Sequence, residues 1–370
     1  MERVSRLLRN EFIFIVYSFV LVVLVVSRPS SVLEFPEYID WRTIASLAGL
    51  ILISKGFQLS GYFDWFARRS LTRISSERNL ALGLVGTAAF LSTFLTNDVG
   101  LILVVPLTMS YSKYLKNDLG KVIIFEAIGA NVGSSVSPIG NPQNIFIYRF
   151  MDVPFHKFFL KMLPVGVIMG GILVSFIYFS TSSTEMEFRT RLENGGTDRR
   201  LFLVSFLSLI LFIVTMELNL ETFSVFPLMI LFLIIERKVI FESNWMLLLL
   251  FIVFFLDSSM LSREEWVKNL FDSTHSLSAG KIYSLSILVS QVMSNVPAAI
   301  LISHFTDRWV PLAIGVNVGG NGLVIASLAN IIAIRLSRRR DLLVKFHFYS
   351  IPFTAISLLL ISFFVIPIFK

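Results

Sequence analysis

The sequence predicts an all-α membrane protein whose helices cross the bilayer several times. The chain has 370 residues, of which 55% are hydrophobic and only 15% carry a charge, whereas an average soluble protein has about 25% charged residues. Stretches such as 12–27, 201–215 and 351–368 contain no charged residue, which is typical of membrane spans. This composition excludes a soluble enzyme, a disordered chain and a nucleic-acid-binding domain.

The apolar stretches predict about nine transmembrane helices, because one crossing needs roughly 20 apolar residues. They lie near residues 11–27, 41–60, 122–149, 159–180, 201–216, 222–236, 243–261, 310–335 and 346–369. Two further apolar stretches, about 81–112 and about 282–305, are too long for one crossing, and each has a polar centre. Each of the two is either a pair of close-packed crossings or one re-entrant hairpin.

The distribution of basic residues favours the hairpins. With two hairpins and a cytoplasmic N-terminus, the inner segments hold about twice as many Lys and Arg residues as the outer ones, as positive-inside topology requires. If only the first hairpin crossed fully, Arg199–Arg200 and Arg338–Arg340 would lie outside. We therefore predict a multi-pass plasma-membrane protein with two re-entrant hairpins and a cytoplasmic N-terminus.

An internal repeat relates the two parts of the chain. Residues 127–133 (AIGANVG) recur as residues 313–319 (AIGVNVG), and in the same register Asn144 falls on Asn330. A single crossing near 201–216 separates the copies, so the second copy would run the opposite way through the bilayer. We predict a first inverted repeat over 1–180, a cytoplasmic linker with a connecting helix over 181–221, and a second inverted repeat over 222–370.

Each repeat contains an interrupted helix, over about 122–149 and about 310–335. In the first, two prolines and three glycines between residues 129 and 142 remove amide donors and loosen the backbone; its counterpart is 317–322. Freed backbone groups inside a membrane need partners in protein, water or substrate. Half-helix N-termini favour anions and exposed carbonyls favour Na⁺, as in secondary transporters with inverted repeats. The alternative is a plain kink whose Ser and Asn side chains bond to their own helix.

Asp98, at the centre of the first hairpin, is the carboxylate that we place deep in the membrane. A buried charge there is costly and usually functional, so Asp98 carries a coupling proton, binds Na⁺ or caps the hairpin tip. Glu126 and Asp257 lie near the ends of predicted spans, where we expect them to be solvated. The chain has no Cys and 4 His, so we expect no structural or transition metal, and no catalytic constellation within the spans suggests an enzyme.

Four motifs in the same order resemble the ion transporter superfamily. They are 96–99 (TNDV), 130–144, 294–297 (SNVP) and 319–322 (GGNG). The arsenite-permease and NhaD-type branch, which includes citrate transporter-like proteins, is most similar, and the divalent-anion/sodium symporters are relatives. The resemblance implies two re-entrant hairpins, interrupted helices and an elevator-like movement. Asp98 and Val296 stand where the dicarboxylate symporters have Thr, so this chain departs from them at both tips.

The resemblance also implies roles for individual residues. Substrate would contact the hairpin tips and the interrupted segments, and a cation would lie beside each tip. The predicted substrate-binding residues are Thr96, Asn97, Asp98, Ser134, Ser135, Pro138, Asn141, Asn144, Ser294, Asn295, Gly320, Asn321 and Asn330. The predicted cation-binding residues are Asn97, Asp98, Asn131, Gly133, Asn295, Asn317 and Gly319.

These observations predict a secondary active transporter that moves a small inorganic or organic anion or oxyanion, coupled to Na⁺ or H⁺. Two alternatives stay open, a Na⁺/H⁺ antiporter that uses Asp98 and a passive channel. The expected partners are the anion, the coupling ion and the lipid bilayer, with no nucleic acid. No cofactor is expected apart from Na⁺ as a coupling ion, and the resemblance implies that the chain is able to form a homodimer.

Overall fold

The computed structural model describes residues 12–62, 65, 76–112, 118–183, 196–271 and 278–369. The predicted all-α class is confirmed, since the regular structure of these residues is helical. Residues 1–11 and most of the predicted linker, 184–195, lie outside the described residues. The longer helices are α1 (Phe12–Ser27), α2 (Trp41–Ser60), α3 (Glu77–Phe94), α4 (Asn97–Ser112), α5 (Gly120–Ser135), α6 (Pro142–Phe150), α7 (Phe155–Ser180), α8 (Arg199–Glu217), α9 (Glu221–Ile235), α10 (Trp245–Leu261), α11 (Ala279–Met293), α12 (Asn295–Ser303), α13 (Trp309–Gly319), α14 (Leu328–Ser337) and α15 (Leu342–Phe364).

Four helices, α2, α7, α8 and α15 with its final turn, are each long and apolar enough to cross a bilayer. Two further spans are bent, because α1 continues at 117° into 29–38 and α10 continues at 83° into 265–271. Large apolar side chains such as Phe179, which is 85% exposed, cover the outside of these helices, as expected for contact with lipid. Length and composition thus give four to six spans in the described residues, and the nine crossings stay a prediction.

Both predicted hairpins are pairs of helices, and both predicted interrupted helices are broken. In the first half α3 and α4 are separated at 95–96 and α5 and α6 at 136–141; in the second half α11 and α12 are separated at Ser294, and α13 and α14 at 320–327. Within the halves α3 packs against α5 as α11 packs against α13. The order of elements therefore repeats, while the opposite direction of the two copies and the re-entrance of the hairpins stay predictions.

Local chemistry explains where the chain breaks. Asn141 caps α6, accepting a hydrogen bond from the backbone N–H of Asn144 at 2.9 Å, and Pro142 occupies the first helical position, where its missing amide hydrogen does no harm. Between α11 and α12, Ser294 has a φ of 69°. That left-handed conformation is uncommon for a residue with a side chain, so the second tip is held in place by its surroundings.

The helices form two packed groups, which we call the frame and the core bundle. The frame consists of α1, α2, α8, α9 and α10, and the core bundle consists of α3 to α7 and α11 to α15. Within the core bundle the two halves cross, since α4 packs against α14 and α12 packs against α6. The frame contacts the core bundle chiefly where α2 meets α6 and where α10 meets α12.

The prediction that Glu126 and Asp257 are solvated is wrong. Both side chains are completely buried, at 0% exposure. Glu126 lies on α5, which is enclosed by α3, α4, α7, α14 and α15, and Asp257 lies on α10, which is covered by α1, α2 and α12. Nearness to the end of a span in the sequence does not give solvent access when neighbouring helices cover that end.

Candidate functional site

The ends of eight helices meet in the middle of the core bundle. α4, α6, α12 and α14 begin there, and α3, α5, α11 and α13 end there. Each hairpin tip is hydrogen-bonded to the interrupted segment of its own half. The backbone N–H of Asn97 donates to the carbonyl of Gly140 at 2.9 Å, and the hydroxyl of Ser294 donates to the carbonyl of Ala326 at 3.4 Å. Gly140 and Ala326 occupy equivalent positions of the repeat.

Four asparagines join the two halves through equivalent hydrogen bonds. Nδ2 of Asn131 donates to Oδ1 of Asn330 at 2.9 Å. In the mirrored arrangement, Nδ2 of Asn317 donates to Oδ1 of Asn144 at 2.6 Å. Asn131 is equivalent to Asn317 and Asn144 to Asn330, so the repeat register predicted from the sequence pairs the same positions twice. Asn144 and Asn330 are 0% exposed, and we call these four residues the asparagine network.

A second pair of equivalent contacts supports the network. Nδ2 of Asn141 donates to Oδ1 of Asn317 at 2.9 Å, and the hydroxyl of Ser327 donates to Oδ1 of Asn131 at 3.2 Å. Ser327 occupies the position equivalent to Asn141. Sequence reasoning missed Ser327, because a hydroxyl replaces the amide there; aligning the repeat one step beyond the identical residues would have found it.

The same amides satisfy backbone carbonyls that the broken helices leave free. Nδ2 of Asn144 lies 2.9 Å from the carbonyl of Ser137 and 3.2 Å from those of Ser134 and Ser135. On the other side, Nδ2 of Asn330 lies 2.9 Å from the carbonyl of Gly320. Buried backbone groups without partners are costly. In this conformation the asparagines therefore play the part that water or a ligand would otherwise take.

The glycines of the repeat allow the hairpins to approach closely. A Cβ on Gly133 would collide with the carbonyl of Ala89 on α3, and a Cβ on Gly319 would lie 2.9 Å from Cβ of Ser290 on α11. Their carbonyls accept hydrogen bonds at 2.9 Å from Thr93 and Gln291 respectively. Those two residues each stand four positions before the asparagine of their tip, and sequence reasoning missed both because their side chains differ.

The other predicted site residues lie in or beside this layer. Nδ2 of Asn97 donates to Oδ1 of Asn131 at 3.2 Å, and Ser134 connects Asn131 with Asn141. Asn295 lies against Gly320, where an added Cβ would be 2.7 Å from its Nδ2. Thr96, Ser135, Pro138 and Asn321 are buried at the breaks, and the hydroxyl of Ser135 and Nδ2 of Asn321 bond back to their own helices.

Asp98 lies next to the network but is not part of it. Its side chain is half-buried, its backbone N–H donates to Oδ1 of Asn97 at 3.0 Å, and its own Oδ1 has no hydrogen-bond partner among the described residues. A carboxylate in the first turn of a helix is stabilised by the helix dipole. In the described part of the chain, no cluster of three or more His, Cys, Asp or Glu residues could hold a metal ion.

The arrangement offers partners for both signs of charge. Four helix N-termini present N–H groups, which favour negative charge, and four C-termini present carbonyls, which favour cations. The model of a protein family described as citrate transporter matches residues 12–308 of this chain. The chain belongs to the citrate transporter family.

Similar proteins cover nearly the whole of this transporter. It is 37% identical to the inner membrane protein YbiR of Escherichia coli over 319 residues, 86% of either chain. It is 32% identical to the transporter MJ0456 of Methanocaldococcus jannaschii over 333 residues, which cover 89% of this chain and 90% of the relative. The predicted membership of the ion transporter superfamily is confirmed, and the protein is a multi-pass membrane transporter.

Proposed function

We propose that this transporter carries a small anion or oxyanion across the membrane by alternating access, coupled to Na⁺ or H⁺. The observation that supports this most is the buried polar layer where the two halves exchange equivalent asparagine contacts. Sites of secondary transporters lie at such meeting points of broken helices. The network itself contains no charged side chain, so the helix N-termini and side-chain amides would hold the anion.

The division into frame and core bundle supports an elevator-like movement. The asparagine network joins the two halves of the core bundle, so that both hairpins and both broken helices would move as one body. The frame contacts that body chiefly along α2 and α10. A rigid-body motion between two packed arrangements needs two separately packed groups with such limited contact surfaces, and here it would also have to break the buried ion pair between Arg149 of α6 and Glu221 of α9.

A flux experiment tests the proposal. The purified protein is reconstituted in proteoliposomes, and uptake of citrate, a dicarboxylate and inorganic oxyanions is measured under imposed Na⁺ or H⁺ gradients. We expect saturable uptake of at least one anion against its gradient, and its loss in Asn131→Ala, which removes a contact between the halves. The matched control is Asn79→Ala, at an exposed position near the start of α3. If no anion accumulates under any gradient, the proposal fails.

A second candidate, a Na⁺/H⁺ antiporter, is favoured by Asp98. Its carboxylate has an oxygen without a partner in the described residues and stands beside the polar layer. A carboxylate that binds Na⁺ and H⁺ in turn would give Na⁺-dependent proton flux with no anion present, and Asp98→Asn would abolish it. Asp118→Asn, which changes an exposed carboxylate, is the control. Proton flux that depends on an anion would decide against the antiporter.

A further inference from the structure

Asp257 is a buried carboxylate that the asparagine network does not use. It lies on α10 of the frame at 0% exposure, and neither of its carboxylate oxygens has a hydrogen-bond partner among the described residues. Burying an isolated ionised carboxylate costs several kcal/mol even after relaxation, by order of magnitude. In this place the ionised form of the Asp257 side chain is therefore less favourable than the protonated form.

Asp257 is placed where the frame meets the second hairpin. The next residue, Ser258, has its hydroxyl 3.4 Å from the carbonyl of Pro297 on α12. Tyr17 on α1, whose ring packs edge-on against that of Phe254 on α10, donates a hydrogen bond to the carbonyl of Met293, the last residue before the tip. The contact between α10 and α12 is one of the two surfaces along which the core bundle touches the frame.

The charged groups around α10 are engaged elsewhere. Arg42 and Lys55 on α2 pair with Glu221 at 3.1 Å and with Glu242 at 3.2 Å, and His304, after α12, contacts Ser259 and Ile300. None of them contacts Asp257. The titratable groups on the elements that pack against α10 are Tyr17, Glu37, Tyr38, Arg42, Lys55 and His304.

We propose that Asp257 is a proton-binding site at the boundary between the frame and the second hairpin. The proton is bound in the arrangement described here, and it leaves to water when α12 moves along α10 and exposes the carboxylate. No other bond forms or breaks. The ligand is a proton rather than Na⁺, because a metal cation needs several oxygen ligands, whereas the residues three positions before and after Asp257 on the same face of α10, Phe254 and Met260, are buried and apolar. The claim that this proton drives transport depends on the proposed function. The claim that Asp257 binds a proton does not.

Infrared spectroscopy of the purified protein tests the bound proton directly. A protonated carboxylic acid has a carbonyl-stretch band that a carboxylate lacks. We expect one component of this band to disappear in Asp257→Asn and to persist in the controls Asp98→Asn and Glu126→Gln. Incorporation of ¹³C-labelled aspartate into Asp98→Asn shifts the Asp257 component without changing Asp257 itself, so the test stands even if Asp257→Asn does not fold. A spectrum in which no aspartate component responds would overturn the proposal.

Transport measurements test the coupling separately. In proteoliposomes, Asp257→Asn is expected to reduce the rate of uptake driven by a proton gradient at least tenfold. Exchange of anion across the membrane without a gradient is expected to persist. Proton-driven uptake that survives in Asp257→Asn would show that this proton is not the coupling ion. If the wild type transports no anion but its infrared band is lost in Asp257→Asn, the proposed function fails and the proton site stands.

Discussion

Arg149 and Arg335 occupy equivalent positions near the ends of the broken helices α6 and α14, yet their surroundings differ. Arg149 is only 3% exposed; its Nη2 lies 2.7 Å from Oε1 of Glu221 on α9, and its Nη1 donates to the carbonyl of Met216 at 2.6 Å. Arg335 is exposed. Equivalent positions of the repeat thus differ in burial at the ends of α6 and α14, whereas the asparagine positions at the centre are buried in both halves.

The hairpin tips differ in the same way. The first tip carries Asp98 in its own sequence, whereas the second tip has Val296 at that position and the carboxylate of Asp257 nearby on the frame. The proposed movement would carry Asp98 with the core bundle and leave Asp257 on the frame. Only the surroundings of Asp257 would then change from frame helices and second hairpin to something else, so the two carboxylates are not equivalent.

Among the predicted effects on stability, the largest difference is between substitutions of Arg149 and of Arg335. We expect Arg149→Gln to lower the free energy of unfolding by about 3–5 kcal/mol, because it leaves the fully buried Glu221 without its closest cationic partner. We expect Arg335→Gln to change it by less than about 1 kcal/mol, since exposed substitutions usually have small effects. Unfolding in a mild detergent, followed by circular dichroism, measures both variants. Equal losses would mean that α14 is attached as firmly as α6.

The repeated glycines sharpen the comparison at the centre. Gly133→Ala makes a methyl group overlap the backbone of Ala89, whereas in Gly319→Ala the nearest atoms are Cβ of Ser290 at 2.9 Å and Cα of Ile287 at 3.0 Å. Overpacking of this kind costs about 1–3 kcal/mol, and we expect the loss of thermal stability to be larger for Gly133→Ala, since its methyl group comes much closer to the neighbouring helix. Both variants are compared with the wild type in melting experiments monitored by size-exclusion chromatography.

Gly170→Ala is the matched control for the two glycine variants. Gly170 lies within the long helix α7, and a Cβ there would meet nothing within 4 Å. Alanine favours a helix over glycine by up to about 1 kcal/mol, so this variant should be as stable as the wild type or slightly more stable. A loss as large as that of Gly133→Ala would mean that helix interiors tolerate no change here, and the close approach would no longer explain the effect.

The sequence was sufficient for the centre of the fold. The repeat of 127–133 in 313–319 aligns Asn131 with Asn317 and Asn144 with Asn330. In the structure Asn131 bonds to Asn330 and Asn317 bonds to Asn144, so the two hydrogen bonds are equivalent. Symmetric contacts need the same residue types at both places, so they leave a signal in the sequence. Contacts made by non-identical residues, as by Thr93 and Gln291, leave a weaker one.

The environment of the carboxylates could not be predicted in this way. Asp257 and Glu126 are buried because helices distant in the sequence cover them, and hydropathy along one span carries no information about its neighbours. Glu126 accepts a hydrogen bond from Thr108 of α4, a contact that no repeat or motif indicates. The ion pair of Arg149 with Glu221 likewise joins a broken helix to the start of α9, and the exposure of the equivalent Arg335 shows that the repeat does not predict this burial.

A surface contact between the halves should have the smallest effect. Arg339, between α14 and α15, forms an ion pair with Asp118, just before α5. The hydrogen bonds that the guanidinium of Arg339 donates to the carboxylate hold the pKa of Asp118 below its usual range. A lowered carboxyl pKa adds stability that is present above the pKa of the unfolded chain and is lost as the pH falls through the lowered value. Exposed pairs of this kind contribute about 1 kcal/mol or less, and salt screens them.

Comparison of Arg339→Ala, at a partly exposed position, with the control Arg340→Ala, at an exposed one, separates this surface contact from the buried ones. In low salt the free energy of unfolding should fall slightly more between neutral and acidic pH for the wild type than for Arg339→Ala, because the variant lacks the ion pair. High salt should remove this difference. Asn131→Ala should destabilise the protein more at every pH, because it unmakes buried hydrogen bonds to Asn330 and to the carbonyl of Gly320. If instead Arg339→Ala is the more harmful variant, the two halves are joined at their surface, and the asparagines serve the passage of the substrate rather than the union of the repeats.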